Sequence, residues 1–177
     1  DFSYDPTGQG SVKPHFFWDS DVAKWIEGVA YILKHHPEMH ELERKADRLI
    51  SKIREHQEEN GYFNIYFTVV EPEKRFTNRG AHELYCAGHF IEAAIAYHNA
   101  TGKSKLLELM LKYVDHIESR FVKLKDTVFS TPGHEEIELA ADSAATFQHR
   151  VHLAEMAAKT NRFLIHGNLI RKNSSFC

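Results

Sequence analysis

The sequence predicts an all-α fold of antiparallel helical hairpins, with at least five helices laid out as an open arc. Three observations carry this. Apolar residues recur at three- and four-residue spacing over long segments, the period of an α-helix. Every Pro, and the Asn60-Gly61, Gly102 and Gly133 breaks, fall between those segments. One apolar segment also returns 65 residues further on: Ile26-Glu27-Gly28-Val29-Ala30-Tyr31 is echoed by Ile91-Glu92-Ala93-Ala94-Ile95-Ala96-Tyr97.

Residues 1–15 read as an extended arm, because Pro6, Gly8, Gly10 and Pro14 oppose helix. Asp19 offers a carboxylate where a helix needs an N-cap. Val22, Trp25, Ile26, Val29, Ala30 and Leu33 then form a stripe as far as His36, and Pro37 ends the segment. A second helix runs from about Glu38 to about Gln57. Leu42, Ala46, Leu49, Ile50 and Ile53 face inward and the remaining positions are charged. Asn60-Gly61 stops it. Tyr62 to Val70 is aromatic and β-branched, and predicts a short strand or extended segment. A polar loop follows from Pro72 to Gly80.

A third helix starts at about His82 and ends at Gly102. A fourth spans Lys103 to about Phe121, with Leu106, Leu107, Met110, Leu111, Val114 and Ile117 inward. Ser130-Thr131-Pro132-Gly133 is a turn. His134-Glu135-Glu136 opens a fifth helix, whose acidic residues suit the positive end of the helix dipole. Residues 141–177 are a divergent C-terminal stretch, Ala-rich at first and ending in a polar tail.

The repeat pairs an apolar inner helix with a charged outer one, and Ile53 of the first unit matches Ile117 of the second. Such units bury their faces on neighbours. Six units of 65 residues would need about 390 residues, so 177 residues are expected to hold an incomplete ring.

Composition narrows the function. Twenty-two basic and 25 acidic residues are interspersed, with a net charge of −3 and no basic block. Nothing in that balance asks for a nucleic-acid or membrane partner, and no apolar run approaches the ~20 residues of a membrane span. Two cysteines, Cys86 and Cys177, make no disulfide framework. With no leader segment visible, a cytoplasmic setting is favoured.

The chemistry-bearing stretch is His82-Glu83-Leu84-Tyr85-Cys86-Ala87-Gly88-His89, where His82, Cys86 and His89 share one helix face. His82-Glu83-x-x-Cys86 is close to the two-histidine zinc signature and would suit a small zinc hydrolase. On spacing alone the preferred reading is a buried helix carrying a satisfied His and an apolar Cys; an interaction scaffold that does no chemistry is a further alternative. Trp18, Asp19 and Asp21 form a second candidate group for sugar contact, against a cap, a dipole-favoured acid and a core tryptophan; the latter reading is preferred. Glu135 and Glu136, adjacent on a helix, do not face each other and make no glycosidase pair. Tyr62 and Tyr66 are expected in the core. His35, His36, His98, His149 and His152 form no closed ligand set.

Four strings occur in order: Phe16 to Glu27, Gly61 to Phe67, the octet from His82, and Gly133-His134-Glu135-Glu136-Ile137-Glu138-Leu139-Ala140. Together they resemble the N-terminal part of the catalytic domain of glycoside hydrolase family 127, the β-L-arabinofuranosidase-like proteins. The resemblance covers roughly Tyr4 to Ala140. It implies part of an (α/α)6 toroid, incomplete in this chain, and release of β-L-arabinofuranose from glycans with retention of configuration. It also implies a zinc-bound cysteine thiolate as nucleophile and a Glu as acid/base in the complete domain. Those residues lie downstream in the family, so this chain is expected to hold no catalytic residue, no metal ligand and no cofactor, and to be inactive alone. Two substrate-binding residues carry over, His82 and His134, matching histidines that contact the sugar. The implied partner is an arabinofuranosyl carbohydrate.

Overall fold

The computed structural model describes residues 4–7, 12–129 and 132–140. Among these every regular element is helical. Helix α1 spans Trp18–His35, α2 His40–His56, α3 Tyr66–Val69, α4 Glu83–Thr101 and α5 Lys105–Glu118. A π-helical stretch, Ser119–Leu124, continues α5, and residues 136–140 open a further helix. The described parts of residues 1–15 carry no helix, and 141–177 lie outside the described residues.

The two hairpins follow from their breaks. His36 to Met39 holds Pro37 and turns the chain between α1 and α2. Gly102, in the left-handed region at φ 74°, caps α4 and turns it toward α5. Inner helices α1 and α4 pack against each other, and α2 and α5 lie behind them. The repeat survives intact: Ile26 and Ile91 are fully buried in the inner pair, and Ile53 and Ile117 in the outer pair. Their neighbours in the core are Ala23, Val29, Ala30, Leu33, Phe90, Ala94, Leu106, Met110 and Tyr113. Charge lies outside, where Lys103 bridges Glu43 at 2.7 Å and Asp47 at 2.5 Å.

Three expectations fail for physical reasons. The Tyr62–Val70 segment is no strand. The buried Asn64 side chain accepts the Phe67 N–H at 3.0 Å and its carbonyl accepts the Thr68 hydroxyl at 2.6 Å, which curls the chain into α3. Asp19 is not the N-cap of α1; it sits in the first turn, 4% exposed, and accepts the Ile65 N–H at 2.8 Å. Trp18 and Trp25 are not core residues but 45% and 40% exposed. Leu49 likewise faces outward.

Candidate functional site

The loop from Pro72 to His82 determines the start of α4. It is fastened at two points. Arg75 forks onto Glu58 at 2.6 and 3.0 Å, donates to the Phe67 carbonyl at 2.9 Å, and lies over the Tyr62 ring at 4.0 Å. Glu83, 2% exposed, accepts the Tyr62 hydroxyl at 2.7 Å and the Phe76 N–H at 2.6 Å. Burial pushes its carboxyl up to about 7 despite those two donors. Phe76 and His82 both take positive φ, 52° and 62°. For residues with a Cβ that conformation costs ~1–2 kcal/mol, and the fastened loop holds it.

The left-handed His82 backbone leaves the imidazole above the first turn of α4. Phe16 stacks on it at 5.7 Å with the planes 14° apart, and Phe17 meets it edge-on at 5.9 Å. Tyr85, one turn on, meets it at 5.2 Å. Burial, with His134 and His15 nearby, pushes the His82 imidazole below its ordinary value. At neutral pH the ring is therefore uncharged and can both donate and accept.

His134 arrives at the same place from the other side. Its ring meets the other edge of the contact, Tyr85, at 4.7 Å. The Glu136 N–H donates to its Nδ1 at 3.2 Å. The two loops lie directly against one another, since a Cβ on Gly133 would stand 2.5 Å from the Arg79 carbonyl oxygen. His82 and His134 thus emerge on one rim around a shared Tyr85, whose hydroxyl accepts from Lys24 at 2.7 Å.

A model of the catalytic domain of GH127 β-L-arabinofuranosidase matches residues 4–152, reaching past the Ala140 at which the sequence strings stop. The chain belongs to this family. It is 40% identical over 129 residues to a non-reducing end β-L-arabinofuranosidase of Bifidobacterium longum subsp. longum, covering 70% of this chain and 20% of that protein. A GH127 β-L-arabinofuranosidase from Geobacillus stearothermophilus T6 superposes with a TM-score of 0.74 at 42% identity, over 86% of this chain and 24% of that one. The GH127 β-arabinofuranosidase BT3674 gives 0.72 at 27% identity, over 88% and 26%. The chain therefore spans about a fifth to a quarter of these relatives. Its hairpins are part of the (α/α)6 toroid of the GH127 fold.

The described residues do not fit the zinc of the GH127 resemblance, nor the small zinc hydrolase. Cys86 is buried, its thiol pushed well up by burial and by the Asp19 carboxylate, and its Sγ faces the Phe16 carbonyl at 3.8 Å. Glu83 points to Tyr62 and Phe76, His82 into the aromatic cluster, and His89 toward Tyr85 and Glu136. The four residues do not converge. One set of ligand atoms does gather within 4.8 Å, from His89, Glu92 and Glu136. Yet His89 Nδ1 and Glu136 Oε1 already touch at 2.8 Å. Two ligands of one zinc ion stand about 3.4 Å apart. The Lys24 charge also reaches the same pair.

Sequence reasoning missed Tyr85 and Lys24. Tyr85 was detectable, at i+3 from His82 on the same helix face. Lys24, from another helix, carried no local signal. Tyr62 is core as expected. Glu135 is exposed while Glu136 is buried, so they form no acid pair.

Proposed function

We propose that this chain is the N-terminal portion of a retaining glycoside hydrolase acting on β-L-arabinofuranosyl glycans, and that it supplies a sugar-binding face without a catalytic centre. What supports this most is the convergence of His82 and His134 on one Tyr85 ring at 5.2 and 4.7 Å, on a common rim. A furanose carries its hydroxyls around a small ring. Two imidazoles held at fixed separation can each take a hydroxyl, donating or accepting as needed. The Phe16 and Phe17 rings keep the His82 imidazole from turning. In this reading the zinc-bound thiolate and the acid/base belong to the remainder of the complete domain. Orientation without nucleophile or acid leaves the glycosidic bond intact.

The test has two arms. Methyl β-L-arabinofuranoside titrated into the isotope-labelled chain should shift the ring signals of both histidines, and His82→Ala and His134→Ala should each weaken binding at least about tenfold. Unchanged binding in both variants overturns the site. An aryl β-L-arabinofuranoside should not be hydrolysed, with or without added zinc. Turnover that vanishes in Cys86→Ala would overturn the assignment and favour a zinc enzyme.

A further inference from the structure

We propose that Glu136 and His89 form a clamp that positions His134, fixing both the place of its ring and the nitrogen it offers to a ligand. The inference rests on the reading of His134 as a sugar contact, and adds the residues that set it.

The clamp begins with a missing side chain. Gly88 lies on the face of α4 against which residues 136–140 pack. A Cβ there would stand 2.8 Å from the Glu136 carbonyl carbon, its oxygen and its Cγ. Backbone meets backbone at this point, which glycine alone allows. The Glu136 side chain then runs along α4 to the next residue, His89, and its Oε1 reaches Nδ1 at 2.8 Å. Glu136 is 6% exposed. The contact is close but not aligned as a hydrogen bond, and among the described residues Oε1 and both ring nitrogens of His89 have no hydrogen-bond partner. Buried polar atoms without partners are costly away from water, so moving the two apart would leave the Glu136 Oε1 and the His89 Nδ1 without their nearest polar neighbour. Glu92 stands next to it, 3.9 Å from the same nitrogen, and Lys24 lies near enough to be felt by both members.

Two links connect this pair to His134. The first is the backbone: the Glu136 N–H donates to His134 Nδ1 at 3.2 Å. With Nδ1 accepting, the hydrogen-bond pattern assigns the ring hydrogen to Nε2, the nitrogen left for a ligand. The second is Tyr85, which meets His89 edge-on at 4.5 Å and His134 at 4.7 Å. Displacing Glu136 would loosen both links at once. Glu136 does not face the rim itself and is a positioning residue.

Nuclear magnetic resonance of the full chain tests this without reference to sugar. In the wild type, long-range nitrogen–proton spectra should show His134 as the Nε2–H tautomer, with a nuclear Overhauser contact between the Tyr85 and His134 rings. Glu136→Ala should lose both, and Gly88→Ala likewise, while methyl signals of Ile26 and Ile91 stay in place. Glu136→Gln should restore the tautomer, since its amide can still meet His89. If Glu136→Ala fails to fold, the comparison of Gly88→Ala with Glu136→Gln decides: both retaining the wild-type signature sinks the clamp. So does a Glu136→Ala protein with tautomer and ring contact unchanged. Methyl β-L-arabinofuranoside binding is read separately. Loss of the signature in a chain whose wild type binds no arabinofuranoside supports the clamp and removes the sugar reading. An intact signature with binding weakened about tenfold removes the clamp and leaves the sugar reading in place.

Discussion

Helices α1 and α4 come from the same repeat, yet the structure treats them differently. Helix α4 is buried on almost every side, from Leu84 through Phe90 and Ile91 to Tyr97. Helix α1 buries Ala23, Ile26, Val29, Ala30 and Leu33 but shows Trp18, Trp25, Tyr31 and Ile32 on its surface. The reason is position. Helix α4 lies between α1 and the elements α5 and 136–140, whereas α1 packs chiefly on α4 and α2. The two helices also share a device. Each has a buried acid in its first turn that accepts a loop N–H: Asp19 from Ile65, and Glu83 from Phe76. Glu83 in addition takes the Tyr62 hydroxyl. The same sequence pattern thus contributes according to how many groups surround it.

That comparison can be broken most severely at Glu83. Glu83→Ala strands a buried hydroxyl and a buried N–H, and releases the loop that holds His82. Urea denaturation should show a loss of about 3–5 kcal/mol; a loss under about 1 kcal/mol would mean that Arg75 alone fastens the loop. In the inner core, Ile91→Ala should cost roughly 2–4 kcal/mol, measured the same way. Asp19→Ala strands only the Ile65 N–H and should cost about 1–2 kcal/mol. If it costs as much as Glu83→Ala, the two acids are equivalent and the contrast fails.

A pH series sharpens the same contrast. Glu83 moves from 4.5 in the unfolded chain to about 7 in the folded one. Between those values the folded state holds a proton that the unfolded state has released, so stability falls as pH rises from 4.5 through 7. Asp19, raised from 3.8 to about 6, acts with the same sign over a lower window. His89, pushed down to about 4 from 6.5, acts with the opposite sign between those two values. Subtracting the melting-temperature profile of Glu83→Gln from that of the wild type cancels the other groups. The difference should decline across pH 4.5–7, and a flat difference would place an ionised Glu83 in the unfolded and folded states alike. The smallest effect is expected at Ile32. Ile32→Ala on the exposed face of α1 should shift stability by less than about 0.5 kcal/mol, against the several kcal/mol of Ile91→Ala.

The repeat explains why so much of the fold was legible. Inner and outer stripes are local in sequence, and Pro37 and Gly102 mark the turns at the positions where the chain turns. The errors fell where a side chain reaches across sequence distance. Aromatic and β-branched residues made 62–70 look extended, and one amide, Asn64, curled it instead. Trp25 fits the apolar stripe and Trp18 was expected in the core, but both stand on the exposed side of α1. In the candidate site, His82 and His134 were legible through the family resemblance. Tyr85, Lys24 and the His89–Glu136 contact were not, because they join α4 to α1 and to residues 136–140.

The sequence by itself determined the helices, their inner and outer faces, their pairing into hairpins and the family, because periodicity and ordered strings are one-dimensional properties. Only the tertiary structure decided that two histidines 52 positions apart meet one tyrosine. It also decided that Cys86 is buried against the Phe16 carbonyl, and that Glu83 and Glu136 lie buried within the packed helices and not on the open surface. Each of these depends on what stands within a few ångströms of a side chain, and helix spacing fixes which face a residue occupies but not what that face meets.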